Sequence, residues 1–189
     1  GAPMSAAAVI YVPHDSLAVA LGADAIAAAL AAKGAKVIRT GSRGMFWLEP
    51  LVEVEHDGQR IAFGPVDSAA VPDLLDALLA GPSRHPRYLG PTEDIPYLKA
   101  QQRLTFARAG LGDPLSLELY RSAEGFKGLE RALNLSSQAV VDEVTASGLR
   151  GRGGAAFPAG IKWQTVLDTA ADQKYIVCNA DEGDSGTFA

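Results

Sequence analysis

Two short apolar runs, AVIYV at residues 8–12 and KVIRT at residues 36–40, stand on either side of an alanine-rich stretch in which Val19, Ala23, Ile26 and Leu30 recur at helical spacing. This strand–helix–strand order constrains the fold more than any other feature. A right-handed crossover places the two strands parallel in one sheet. Asp15 or Ser16 offers a cap for the helix, and Gly34 stands where a left-handed terminating residue is wanted. Beyond the second strand, LVEVE at 51–55 and RIAFG at 60–64 alternate in character and are joined by His56-Asp57-Gly58-Gln59, which reads as a hairpin. Asp67 or Ser68 then caps a helix carrying Val71, Leu74, Leu75 and Leu78 and ending near Gly81.

Strand, helix, strand, hairpin, helix is the order of a thioredoxin-like domain, expected here over residues 1–81. Such domains carry thiols at their loops, but this chain has one cysteine, Cys178. His14-Asp15-Ser16 and Gly41-Ser42-Arg43-Gly44 hold none, so the first domain reads as a docking or scaffold module. Met45, Phe46 and Trp47 are either its contact patch or core filling. One cysteine also excludes a disulfide framework and a four-thiolate cluster within this chain. Cys178 itself reads as a small buried residue.

Residues 81–97 hold four prolines and read as a linker or wrapping segment without regular structure, with the linker proper at 82–97. Residues 98–189 then form a helical connector and the first part of a second α/β domain. Helices are expected at 98–109, 115–123, 128–133 and 138–147. The 17 basic residues against 22 acidic ones show no basic stripe, which argues against nucleic acid as a partner. The longest weakly polar run, residues 17–32, contains Gly22 and Asp24 and is a poor membrane span. The N-terminus lacks the basic residues and apolar core of a signal peptide, so a cytoplasmic address is expected.

Chemistry concentrates at residues 148–160, GLRGRGGAAFPAG, with five glycines in thirteen positions and two arginines. Glycines let backbone N–H groups approach an anion, a helix beginning near Ile161 points its positive end at the loop, and Arg150, Arg152 and Lys162 add charge. Gly151-Arg152-Gly153-Gly154-Ala155-Ala156 satisfies G-x-G-x-x-A formally, but a helix precedes it where a dinucleotide fold needs a strand. The Walker pattern lacks its Gly-Lys-Ser/Thr. A structural glycine turn is the competing reading. Residues 174–178, KYIVC, read as a strand whose carboxyl end opens into NADEGDSG; Asn179, Asp181, Glu182 and Asp184 can accept hydrogen bonds from ribityl or ribose hydroxyls. A calcium loop is the rival there, weakened by the want of a closing carboxylate.

GLRGRGGAAFPAGIKW followed by KYIVCNADEGDSGTF resembles the family of flavin- and NADH-binding subunits found in respiratory complex I (its 51 kDa flavoprotein), NAD-reducing hydrogenases and NAD-dependent molybdenum formate dehydrogenases. IYVPHDS, GSRGMFWLEPLVEV and LTFARAGLGDPLSLELY are most similar to the beta, or diaphorase, subunits of the soluble formate dehydrogenases. The resemblance implies an FMN/NAD-binding domain in which FMN exchanges a hydride with NAD(H) and passes electrons on to iron–sulfur clusters. It implies that Gly151, Arg152, Gly153, Gly154 and Lys162 line the FMN and nucleotide site, with Phe157 near the adenine or nicotinamide end. Asn179, Asp181 and Glu182 would contact FMN, and Asp184 the dinucleotide. No side chain is expected to act as general acid or base, and His14, His56 and His85 are expected in surface or turn roles. Ala156 stands where the family usually has glycine, and Ala159 where it has threonine. Asp184 and Ser185 likewise stand at positions where glutamate and proline are common. The cysteines of a [4Fe–4S] cluster are expected beyond Ala189. A molybdenum/iron–sulfur alpha subunit and a small [2Fe–2S] gamma subunit are the implied partners. A hydrogenase or complex I subunit, and a non-enzymatic docking protein, are the alternatives.

Overall fold

The computed structural model describes residues 8–178. It is a mixed α/β structure. β1 (Val9–Pro13) is followed by α1 (Ser16–Ala20), α2 (Ala23–Ala32) and β2 (Lys36–Thr40). β1 and β2 run parallel in the register Val9↔Lys36 to Pro13↔Thr40, as the crossover requires. The expected single helix is broken in two: Gly22 adopts φ +99°, a left-handed conformation that ends α1 and starts α2. Asp15 caps α1, its Oδ1 accepting from the N–H groups of Leu17 and Ala18 at 3.2 Å.

β3 (Val52–His56) and β4 (Gln59–Phe63) form the hairpin. Its connection is the two-residue turn Asp57-Gly58, both at positive φ, the mirror-image turn that matches strand twist. β3 also lies antiparallel to β1. α3 (Val71–Ala80) follows a short turn capped by Asp67, and ends at Gly81. The sheet order is β2-β1-β3-β4-β5. That is the thioredoxin-like order with one more strand at the edge.

The added strand corrects the reading of residues 81–97. β5 (Tyr88–Pro91) pairs antiparallel with β4, with an irregularity at Ala62/Phe63. Prolines obscured it because they fall at its flanks and its last position, where an edge strand tolerates a missing N–H. Side chains of β4 alternate between two cores. Ile61 and Phe63 join Ile10, Val12, Ile26, Leu30 and Leu74 in the larger core, beneath α2 and α3. Ala62 joins Met45, Leu51, Ile95 and Leu98 in a smaller core. The last two residues are brought by α4 (Pro96–Lys99) and the turn before it.

The helix expected at 98–109 is only this short α4; the chain continues through turns in which Leu104 and Phe106 stay exposed. Without an apolar face to bury, a helix of this length is marginal. Two compact units result, one through Leu119 and one from Tyr120. α5 (Leu117–Ser122), α6 (Lys127–Leu133), α7 (Ser137–Ala146) and α8 (Ala159–Asp168) complete the described elements. No helix among the described residues is long and apolar enough to cross a membrane.

Candidate functional site

The glycine-rich loop joins α7 to α8. Ser136 caps α7, accepting from Ala139 N–H at 3.2 Å, and Gly148 at φ +67° ends it. A helix therefore precedes the loop, and the dinucleotide-fold context is absent. Across the loop's neck, Ala159 N–H donates to Leu149 C=O at 2.8 Å, and Gly151 N–H to Phe157 C=O at 2.9 Å. Arg150 and Pro158 form an antiparallel bridge. Arg150 Nε donates to Ala156 C=O at 2.6 Å. The loop is thus a closed excursion with Arg152, Gly153 and Gly154 at its outer end.

The glycines differ in why glycine is needed. Gly154 sits at φ +111°, which disfavours a side chain. A Cβ on Gly153 would meet nothing within 4 Å and its φ lies outside the left-handed range, so nothing in the fold itself demands glycine there. A Cβ on Gly151 would make only ordinary contact with Phe157 backbone atoms. Gly160, in the first turn of α8, is demanded by packing: a Cβ would lie 2.8 Å from Thr145 Cα and 2.9 Å from Thr145 Cβ. α7 and α8 are also joined by Gln138 and Gln164, whose amides exchange hydrogen bonds of 2.8 and 3.3 Å.

α8 starts earlier than the sequence reading placed it, with Pro158 as its N-cap residue and no side-chain cap. Its first-turn donors, the outer glycine amides and Arg152 sit on one short segment, a combination that suits phosphate. Lys162 Nζ lies 5.6 Å from the centroid of the Phe157 ring, joining two of the expected site residues in a cation–π contact. Gly151, Arg152, Gly153, Gly154, Phe157 and Lys162 are therefore all carried by the loop and the first turn of α8.

The second motif is not a strand where it is described. Lys174 Nζ donates to the terminal carbonyls of α8 at Val166 and Leu167, and Tyr175, Ile176 and Val177 are exposed, Ile176 at 97%. A strand needs a ladder partner, and none pairs with residues 174–178 among the described residues. Cys178 is exposed, not buried. Asn179, Asp181, Glu182 and Asp184 lie outside the described residues. No group of three or more His, Cys, Asp or Glu residues able to hold a metal occurs among those described.

In the first unit the Met45-Phe46-Trp47 alternatives divide. Met45 is fully buried in the smaller core, while Phe46 and Trp47 are 49% and 60% exposed, Trp47 meeting Tyr97 edge-to-face at 5.1 Å. His85 is buried and has a turn role and not a surface one, its Nδ1 accepting from Arg87 N–H at 3.1 Å and its carbonyl from Tyr88 N–H at 3.0 Å. Two features escaped the sequence reading. Glu49 is buried, accepting from Leu51 N–H at 2.9 Å; desolvation raises its pKa to about 7. Arg43, Glu53 and Arg60 form a charged cluster on the sheet.

Comparison with known proteins bears on the loop directly. Residues 144–189 match the Nuo51 FMN-binding domain of the complex I 51 kDa family. The chain is 52% identical over 86 residues to the NADP-reducing hydrogenase subunit HndC of Solidesulfovibrio fructosivorans, covering 46% of this chain and 18% of that protein. It is 30% identical over 196 residues to the NAD-reducing hydrogenase HoxS subunit alpha of Cupriavidus necator, covering 95% of this chain and 31% of the relative. An NADH-quinone oxidoreductase subunit of Aquifex aeolicus is 45% identical over 73 residues, 39% of this chain and 17% of that one. The chain therefore spans a third or less of these relatives. The matches support the complex I 51 kDa family for the loop-bearing segment.

Proposed function

We propose that this chain is part of a flavoprotein subunit that binds FMN and NAD(H) and works in a multi-subunit oxidoreductase. The observation that supports it best is the closed glycine loop on the N-terminus of α8, within the segment that matches an FMN-binding domain. The residues present fit such a group: Gly153 has open space that the fold does not use, Gly154 is held at positive φ, and Arg152 has no hydrogen-bond or ion-pair partner among the described residues. When bound, FMN would supply hydride exchange with nicotinamide. The chain's own task is placement. Amides of Gly153 and Gly154 and the guanidinium of Arg152 would hold phosphate, while Lys162 and Phe157 would border it. Asn179, Asp181, Glu182 and Asp184 are proposed as further contacts from sequence alone, the first three to FMN and Asp184 to the dinucleotide.

The finer proposal, that formate is the electron source and that alpha and gamma subunits with molybdenum and iron–sulfur centres are the partners, rests on the N-terminal motifs alone. The relatives compared above are hydrogenase and NADH-quinone oxidoreductase subunits. The first unit has no thiol and is proposed to dock another subunit, Phe46, Trp47 and Tyr97 being its exposed aromatic group.

The test uses the full-length protein in its complex. Flavin absorbance and NADH oxidation with an artificial acceptor are expected, and a cluster-loaded preparation without FMN would overturn the reading. Gly153→Val is expected to abolish flavin binding while assembly is kept, because no protein atom lies within 4 Å of the added Cβ. Equal flavin content in that variant would favour a structural loop. Formate-driven and hydrogen-driven NAD reduction by the complex separate the two electron sources.

A further inference from the structure

We propose that Arg150 is a positioning residue of the glycine loop and not one of its anion ligands, so that the loop's two arginines do different work. This rests on the FMN reading above. Arg150 and Arg152 carry the same group two residues apart, and in a phosphate loop both would ordinarily be assigned to the phosphate. Their surroundings differ. Arg150 Nε is committed to Ala156 C=O at 2.6 Å, a bond that crosses the loop's neck beside the Gly151–Phe157 and Ala159–Leu149 backbone bonds. Side-on recognition of phosphate or carboxylate uses Nε together with one terminal nitrogen of the fork. With Nε spent on a carbonyl, that mode is closed to Arg150.

The carbonyl it holds belongs to the loop's strained residue. Ala156 adopts φ +50°, a left-handed conformation that costs an alanine free energy and that local contacts must maintain. Arg150 supplies such a contact, fixing the return path from Gly154 to α8 and thereby the direction of the outer amides. Arg152 keeps its donors, since no hydrogen-bond or ion-pair partner holds it among the described residues. It carries the charge toward the ligand.

Side-chain chemistry gives a discriminating pair of variants. The Nε2 of glutamine occupies the same place along the side chain as arginine Nε, so Arg150→Gln keeps the donor and removes the charge. Lysine has a methylene there, so Arg150→Lys keeps the charge and takes the donor away from that position. In the full-length protein, FMN affinity is read by flavin fluorescence at low and at raised sodium chloride. Arg150→Gln is expected to stay within about threefold of the parent, and Arg150→Lys to lose about tenfold, the worth of one hydrogen bond made by a charged group, both with the parent's salt dependence. Arg152→Gln is expected to lose affinity and flatten the salt dependence. The proposal is overturned if Arg150→Lys binds like the parent, or if Arg150→Gln behaves like Arg152→Gln.

Amide hydrogen exchange at Gly151 and Ala159 reads the neck without flavin: it is expected to accelerate in Arg150→Lys and not in Arg150→Gln. Unchanged exchange in both sinks the positioning role. A parent protein that binds no FMN sinks the functional reading instead, while exchange still decides on Arg150.

Discussion

Arg43 and Glu53 face each other as a fork on a fork, Nε to Oε1 and Nη2 to Oε2 both at 2.8 Å, with side chains only 5% and 3% exposed. Arg43 also reaches Glu93, and Arg60 reaches the second oxygen of Glu53 at 3.4 Å while its own fork holds the carbonyls of Gly110 and Leu111. The guanidinium of Arg60 lies 3.5 Å over the Tyr11 ring. This cluster is what holds the irregular chain near residue 110 to the sheet. Removing one member of a buried pair strands the other charge, so Glu53→Ala is expected to cost about 3–5 kcal/mol. Urea unfolding followed by tryptophan fluorescence measures it. Replacing both partners by apolar residues, Arg43→Met with Glu53→Leu, is expected to recover most of the loss; a double variant as unstable as the single one contradicts this account.

Glu49 gives a pH dependence of unusual sign. Burial raises its pKa from 4.5 to about 7, against the opposing hydrogen bond from Leu51 N–H. For an acid raised on folding, the stabilisation is complete below pH 4.5 and is lost as pH rises toward 7, because the unfolded chain ionises first. Above pH 7 the loss is constant. Glu49→Gln removes the ionisation and keeps an acceptor for Leu51 N–H. It is expected to match the parent near pH 4.5 and to exceed it by about 3 kcal/mol at pH 8. Denaturant midpoints across that range check this, and parallel curves for the two proteins would refute it.

Local patterns made part of the fold legible, and the reasons are physical. β2 lies at Lys36–Thr40 as its run of residues implies, and the hairpin was readable because Asp57-Gly58 is one of the few dipeptides that accept two positive φ values. The break at Gly22 was not readable, since alanines on both sides continue the helical pattern. β5 was hidden by its prolines. Pairing of Arg43 with Glu53 depends on tertiary placement that no spacing encodes. At the candidate site, the glycines, Arg152 and Lys162 were visible as a composition anomaly, whereas the separate role of Arg150 needed the loop's closure to be seen. Residues 174–178 have the apolar, β-branched character of a strand, but no ladder partner pairs with them among the described residues, and Tyr175, Ile176 and Val177 stay exposed.

Ala156 holds φ +50°, a left-handed conformation that costs an alanine free energy. Ala156→Gly is expected to relieve the left-handed strain and to stabilise the loop by up to about 1 kcal/mol, part of the gain being offset by the greater freedom of glycine in the unfolded chain. Slower amide exchange at Gly151, whose N–H closes the neck, is the direct measure. Faster exchange would mean that the alanine conformation is not strained.

The seat of α8 on α7 is set by Gly160, and this makes a sharper prediction than the loop's outer glycines allow. An added methyl at Gly160 would press on Thr145 Cα at 2.8 Å as well as on its side chain, and Thr145 is anchored by its own hydroxyl donating to Val141 C=O at 2.8 Å. Rotating a side chain therefore brings no relief; the helices must part. Gly160→Ala is expected to cost about 1–3 kcal/mol, in the range of overpacked cores. Trimming the partner with Thr145→Ala removes the hydroxyl but leaves Cα and Cβ in place, so the double variant is expected to remain nearly as destabilised. Thermal unfolding of the two variants decides the matter, and full rescue by Thr145→Ala would show that the hydroxyl alone sets the spacing. Gly153→Val, by contrast, is expected to unfold like the parent, separating the glycine that the packing requires from the one that only a ligand would.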